Sequence, residues 1–152
     1  MAGENKKGFS FLELLLVVSI AGILLYIAVP RLKFDTLSQY KADTIARKIV
    51  TDLRRTRSMA ISDAADNNQG YELRQTASPK GYEIVNRKTS AKVDSHKIDA
   101  DIRVTWTGGS GFAFGPLGNQ LNSTSKLTIS AQSRTFEITV VQATGAVKCV
   151  KN

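Results

Sequence analysis

Cysteine and histidine each occur once in the 152 residues, as Cys149 and His96. A lone cysteine excludes an intrachain disulfide, a cysteine zinc cluster and a CxxC redox pair. It leaves Cys149 to fill an apolar strand position near the end of the sequence. His96 stands in the polar stretch VDSHKIDAD, and no HExxH, Walker or nucleophile motif accompanies it. Asp94, Asp99 and Asp101 lack the glycine and closing glutamate of an EF-hand and read as a solvated loop. TGGSG after Trp106 precedes a strand instead of a helix, so it is a turn and not a phosphate cradle. Low-complexity tracts and repeats of solenoid period are missing as well. The expectation is a folded, non-enzymatic protein with no cofactor, no metal and no small-molecule substrate.

Acidic residues are the scarcer sign of charge: 21 Lys and Arg face 13 Asp and Glu, for a net +8 and a pI near 9.8. Lys6 and Lys7 offset Glu4 and Glu13, so the whole excess falls from Arg31 onward. Such a balance favours anionic partners without specifying one.

The other excess is apolar and local. From Phe9 to Val29 the only strongly polar side chains are Ser10, Glu13 and Ser19. About 21 helical residues would span roughly 31 Å, enough for a bilayer. A secretory signal fits poorly, because the run exceeds the usual apolar core of about 7–15 residues and no small-x-small site precedes Pro30. A carboxylate within lipid costs about 2.5–3.5 kcal/mol at a helix centre, so Glu13 calls for a partner. Cleavage between Gly8 and Phe9 would create an α-amino cation a few residues away. That amine could meet Glu13 of a neighbouring subunit, making the acid a register device for polymerisation.

The sequence KKG followed by FSFLE and a long apolar helix resembles the class III signal of type IV prepilins and type II secretion pseudopilins. The resemblance implies cleavage by a prepilin peptidase between Gly8 and Phe9, N-methylation of Phe9, an assembly role for Glu13 and helix-softening positions at Gly22 and Pro30. Pro30 also lacks a backbone donor and disfavours helix in the residue before it, which predicts a kink or boundary there.

Beyond Pro30 the pattern turns amphipathic. Leu37, Ile45, Ile49, Leu53 and Ala60 form an apolar stripe with Val50, Met59 and Ile61 beside it, while Lys41, Asp43, Arg47, Lys48, Asp52, Arg54, Arg55 and Arg57 lie off it. A helix from about Leu32 to Ala64 is expected, closed by DNNQG. YELRQ, GYEIV, IRVTW, FAFG, KLTIS and RTFEITVV read as strands, separated by SPKG, TGGSG and GPLGN. The result is an α+β chain with a leader at 1–8, a transmembrane and assembly helix at 9–30, an amphipathic helix at 31–66 and a β-rich part at 67–152. With the resemblance it implies a type IV pilin-like fold, one long N-terminal helix packed on antiparallel sheet, the number and pairing of the sheets being open.

LRRTRSMAIS, FAFGPLGN and FEITVVQATGAVK further resemble the GspH/FimT branch of minor pilins and pseudopilins. Matching positions are Asp52, Leu53, Arg54, Arg57, Ser58, Ala60 and Ile61, then Phe114, Pro116 and Gly118, then Ile138, Val140, Gly145 and Val147. The implied function is a structural minor subunit at or near a filament tip, with other pilins or pseudopilins as partners. Its implied location is the inner membrane before assembly, with the C-terminal domain extracytoplasmic, and afterwards a periplasmic or surface filament. Two alternatives accompany it: a type II secretion pseudopilin, and a FimT-like subunit binding DNA for natural transformation. DNA contacts would fall on Lys148 and Lys151 in the tail, or on Arg87, Lys88 and Lys92, although the tail GAVKCVKN lacks an Arg-rich pattern.

Overall fold

The computed structural model describes residues 10–28, 34–76, 78, 80–124 and 126–152. The chain divides into two compact units, 1–34 and 35–152. The first contains α1 (Phe11–Ala28). The Ser10 carbonyl accepts the Glu13 and Leu14 amides at 3.0 and 3.1 Å, which opens the helix. Ser10 and Glu13 thus stand at the first and last positions of a capping-box spacing, with the acid at the positive end of the helix dipole.

The expected single long helix does not form, and with it the type IV pilin-like fold is set aside. The helical residues fall into two elements, α1 and α2 (Phe34–Ser62), assigned to separate units apart from Phe34 at the boundary. The 18 residues of α1 rise roughly 27 Å, short of a hydrocarbon core of about 30 Å, and Glu13 occupies the first turn. Among the described residues no helix is long and apolar enough to cross a membrane, which does not support a single-pass inner-membrane protein. The coarser expectation, α+β with helix before antiparallel strand, is what the chain adopts.

The second unit packs α2 against two four-stranded antiparallel sheets. Its strands are β1 (Tyr71–Thr76), β2 (Gly81–Asn86), β3 (Lys92–Lys97), β4 (Arg103–Thr107), β5 (Gly111–Phe114), β6 (Lys126–Ala131), β7 (Arg134–Val140) and β8 (Val147–Lys151). One sheet runs β3-β2-β1-β5 and the other β4-β6-β7-β8. β3 is not among the expected strands, because KVDSHK is mostly polar and largely exposed, as edge strands tolerate. Cys149 takes the strand position expected of it, in β8, but is exposed there.

The buried stripe of α2 is Ala42, Ala46, Ile49, Val50, Leu53, Thr56 and Ala60, a spacing of fours and threes. Alanines in that stripe let the strands approach the helix axis closely. Leu37, expected on the stripe, and Ile61, expected beside it, are 57% and 43% exposed because they fall outside this spacing. Leu73, Ile84, Phe112, Leu127, Ile129 and Ile138 are fully buried in the same cluster.

After α2 the chain reverses around Asn67, which is buried. Its Oδ1 accepts the Gln69 and Gly70 amides, and its Nδ2 donates to the Gly70 carbonyl and to Asn86. Gly70 has φ +74°, and a Cβ there would collide with the Phe114 carbonyl. Near the other end of the second sheet, Arg57 Nε donates to the Gly118 carbonyl at 3.0 Å and to that of Thr144 at 3.1 Å. Gly145, at φ +65°, leaves the space through which this junction closes.

Leu53→Ala should lower unfolding free energy by about 2–5 kcal/mol, and Leu37→Ala by no more than about 0.5 kcal/mol. Urea titration followed by the fluorescence of Trp106, which packs 5.6 Å from the Phe112 ring, would check both. Equal losses at the two positions would contradict the stripe described here.

Candidate functional site

Two polar surfaces lie on opposite flanks of α2. On one, the helix meets β2 and β3. The Tyr82 hydroxyl donates to Asp52 Oδ2 at 2.6 Å in a buried setting. Burial, and then the Asp52 hydrogen bond and charge, push the Tyr82 hydroxyl far above its ordinary pKa. It stays a proton donor. His96 Nε2 lies 3.5 Å from Asp52 Oδ2 and 3.4 Å from Asp94 Oδ2, with its ring 5.3 Å from that of Tyr82. Lys48 approaches Asp52 at 3.9 Å, and Arg55 Nη1 donates to Asp94 Oδ2 at 2.8 Å. Asp52, read from its pattern as an off-stripe polar residue, is thus buried beneath a tyrosine. Asp94, read as part of a solvated loop, sits in β3.

This flank is a clasp between helix and sheet edge. Burial works to raise the Asp94 carboxyl, but hydrogen bonds from Arg55 and the Ser95 amide, with the charges of His96 and Arg55, outweigh it and hold it below the usual carboxylate value. Among the described residues no group of three His, Cys, Asp or Glu side chains is placed to hold a metal ion. Asp99 and Asp101 are held by Lys41 at 2.9 and 3.5 Å.

On the other flank α2 and the β7-β8 edge enclose a groove of about 470 Å³. Arg47, Arg54 and Lys151 rim it, and Val50, Phe136 and Cys149 line its apolar part. Arg47 is hydrogen-bonded to Asp43 at 2.9 Å, whereas Arg54 and Lys151 have no acidic partner among the described residues. Burial and then Asp43 push the Cys149 thiol up against the opposing pull of Arg47, so it remains a thiol near neutral pH.

The basic residues expected as DNA contacts do not share one surface. Arg87 donates to the Gln69 carbonyl at 3.1 Å and lies 3.9 Å from Glu72; Lys88 bonds the Asp66 carbonyl; Lys92 lies 3.8 Å from Glu83. These three belong to the turn and edge of the first sheet. Lys148 and Lys151 are exposed on β8 of the second sheet, without ion pairs among the described residues. Glu13 is in the first turn of α1, and α1 continues unbroken through Gly22, around which a Cβ would meet nothing. Gly8, Phe9 and Pro30 lie outside the described residues.

Sequence reasoning passed over Arg54 as a groove residue, although its spacing of seven from Arg47 places the two on one helix face. It also passed over the Asp52-Tyr82-His96 contact, which joins residues far apart in the chain and has no local signature.

A depressed Asp94 adds stability above the unfolded carboxyl value, near 3.8, and loses it as pH falls through the folded one. Arg55→Ala should therefore cost about 0.2–1 kcal/mol near neutral pH, with the difference from wild type shrinking below about pH 4. Thermal melts of both proteins across that range would show it; a difference that persists in strong acid would assign Arg55 a packing role instead.

Compared with known proteins, the chain matches no protein-family model, no curated protein and no solved structure.

Proposed function

We propose that the protein is a structural minor subunit of a type IV pilus-like or pseudopilus filament, released from its leader between Gly8 and Phe9 and assembled through α1. The observation that carries this reading is the KKGFSFLE stretch leading into a helix whose large apolar side chains are exposed, among them Phe11 at 79% and Tyr26 at 83%. A continuous apolar surface of this kind calls for cover. On this reading the corresponding helices of neighbouring subunits supply it in a filament, and Glu13, near the start of α1, pairs with the α-amino group of a neighbour's Phe9. The partners on this reading are a prepilin peptidase, which also methylates Phe9, and other pilins or pseudopilins. The unassembled precursor associates with the inner membrane through α1, with the β-rich unit extracytoplasmic.

The clasp and the Arg57 junction support a rigid body for subunit contacts and offer no arrangement for catalysis. The reading is not extended to DNA, because Arg87, Lys88 and Lys92 are engaged within the protein and stand on a different sheet from Lys148 and Lys151.

Gly8→Ala should leave only the unprocessed precursor when the protein is expressed with a prepilin peptidase, as read by intact-mass spectrometry; mature protein of normal mass would remove the processing step. Glu13→Ala should be processed normally, yet its content in sheared filaments should fall about tenfold, as for loss of a desolvated charge pair. Unchanged filament content would show that Glu13 does not set the register.

A further inference from the structure

The groove beside β8 is bounded by more than side chains. β8 pairs with β7 on one side and has no strand on the other among the described residues. The hydrogen-bonding direction of each β8 residue follows from the ladder. Thr135 and Asn152 exchange both amide bonds, and at the far end the Val141 amide donates to the Ala146 carbonyl. Antiparallel pairs alternate between bonded and non-bonded, so Val150 and Lys148 bond to Glu137 and Thr139, while Lys151, Cys149 and Val147 stand in the intervening pairs. The N–H and C=O groups of Val147, Cys149 and Lys151 therefore point outward, away from β7.

Side-chain alternation puts the same three residues on the sheet face of Phe136, Ile138 and Val140, the face turned toward α2. Lys148 and Val150 point to the opposite face. The unpaired backbone edge and the rim of Arg47, Arg54 and Lys151 thus belong to one concave surface.

We propose that this surface receives an extended segment of an acidic partner protein, which adds to β8 as a ninth strand and carries Asp or Glu at alternate positions. The incoming strand would bond to the backbone of Val147, Cys149 and Lys151, and residues opposite these would share their face and meet Arg54, Lys151 and Arg47. The intervening side chains would point away from α2. Backbone pairing supplies the strand geometry, and the cationic rim selects the pattern.

The partner is not a second copy of this chain. The protein carries +8, and lysines on an edge strand oppose pairing with a like edge. Its one Asp-x-Asp sequence, Asp99-Ala100-Asp101, is already held by Lys41. The proposal does not depend on how α1 is covered.

The test uses the full chain and a short labelled peptide in which Glu alternates with Val and Thr, beside a peptide of the same composition with its Glu residues contiguous. The alternating peptide should bind more tightly and slow amide exchange at Val147, Cys149 and Lys151, leaving Lys148 and Val150 unchanged. Arg54→Ala and Lys151→Ala should each weaken it about fivefold, whereas Lys148→Ala, on the other face, should not. Amide spectra of the variants establish that they remain folded. Equal binding of the two peptides, or no protection at the three outward amides, would overturn strand addition. Preferential binding of duplex DNA, weakened alike by Lys148→Ala and Lys151→Ala, would assign the surface to nucleic acid and overturn it too.

Discussion

The β-rich unit depends on one constraint: two sheets share a single helix as their common floor. A two-sheet chain usually buries each sheet against the other or against several helices. Here the stripe from Ala42 to Ala60 joins the inner faces of both in one cluster. Small residues at Ala42, Ala46 and Ala60 make the close approach possible, and the larger Ile49 and Leu53 fill the space between. A helix presenting leucine at every buried turn would hold the sheets farther out and leave voids beneath the strands.

Sharing a helix between sheets leaves its two flanks with different tasks. On the β2-β3 flank, every charge near the core finds a counterpart: Asp52 has Tyr82, Lys48 and His96 beside it, and Asp94 has Arg55. Of the buried side-chain polar atoms among the described residues, His96 Nε2 on this flank is the one without a hydrogen bond. On the β8 flank two cations lack acidic partners among the described residues, beside a strand edge whose backbone ladder no described strand uses. Internally satisfied charge on one side and unsatisfied charge on the other is a structural asymmetry of the unit, and it locates where this body can still gain interaction energy.

Period and turn chemistry made much of this legible. The six strands with alternating or β-branched residues are present, and the DNNQG stop is where α2 gives way to β1. Two kinds of feature stayed hidden. β3 is an edge made almost wholly of polar residues, so KVDSHK shows no apolar alternation to mark it as a strand. The other kind is non-local: Asp52 reads as surface until Tyr82, thirty residues on, is known to lie against it. The continuous helix was an inference from an apolar run followed by an amphipathic one; the sequence also marked a kink or boundary at Pro30, which falls between Ala28 and Phe34 and outside the described residues. Of the groove, Lys151 was visible as a tail cation; its partnership with Arg54 required the fold.

The junction at Arg57 bears on how the molecule holds together over time. Its guanidinium bonds to carbonyls 61 and 87 residues farther along the chain. Both acceptors lie in turns that exist only once the strands around them have paired. Contacts of such long sequence separation carry the largest loop-closure cost and form late on the way to the native state. Interactions made after the rate-limiting step do little to hasten folding, but they must be broken before unfolding can proceed. Arg57 therefore acts as a latch on the finished body, setting its lifetime more than its speed of formation.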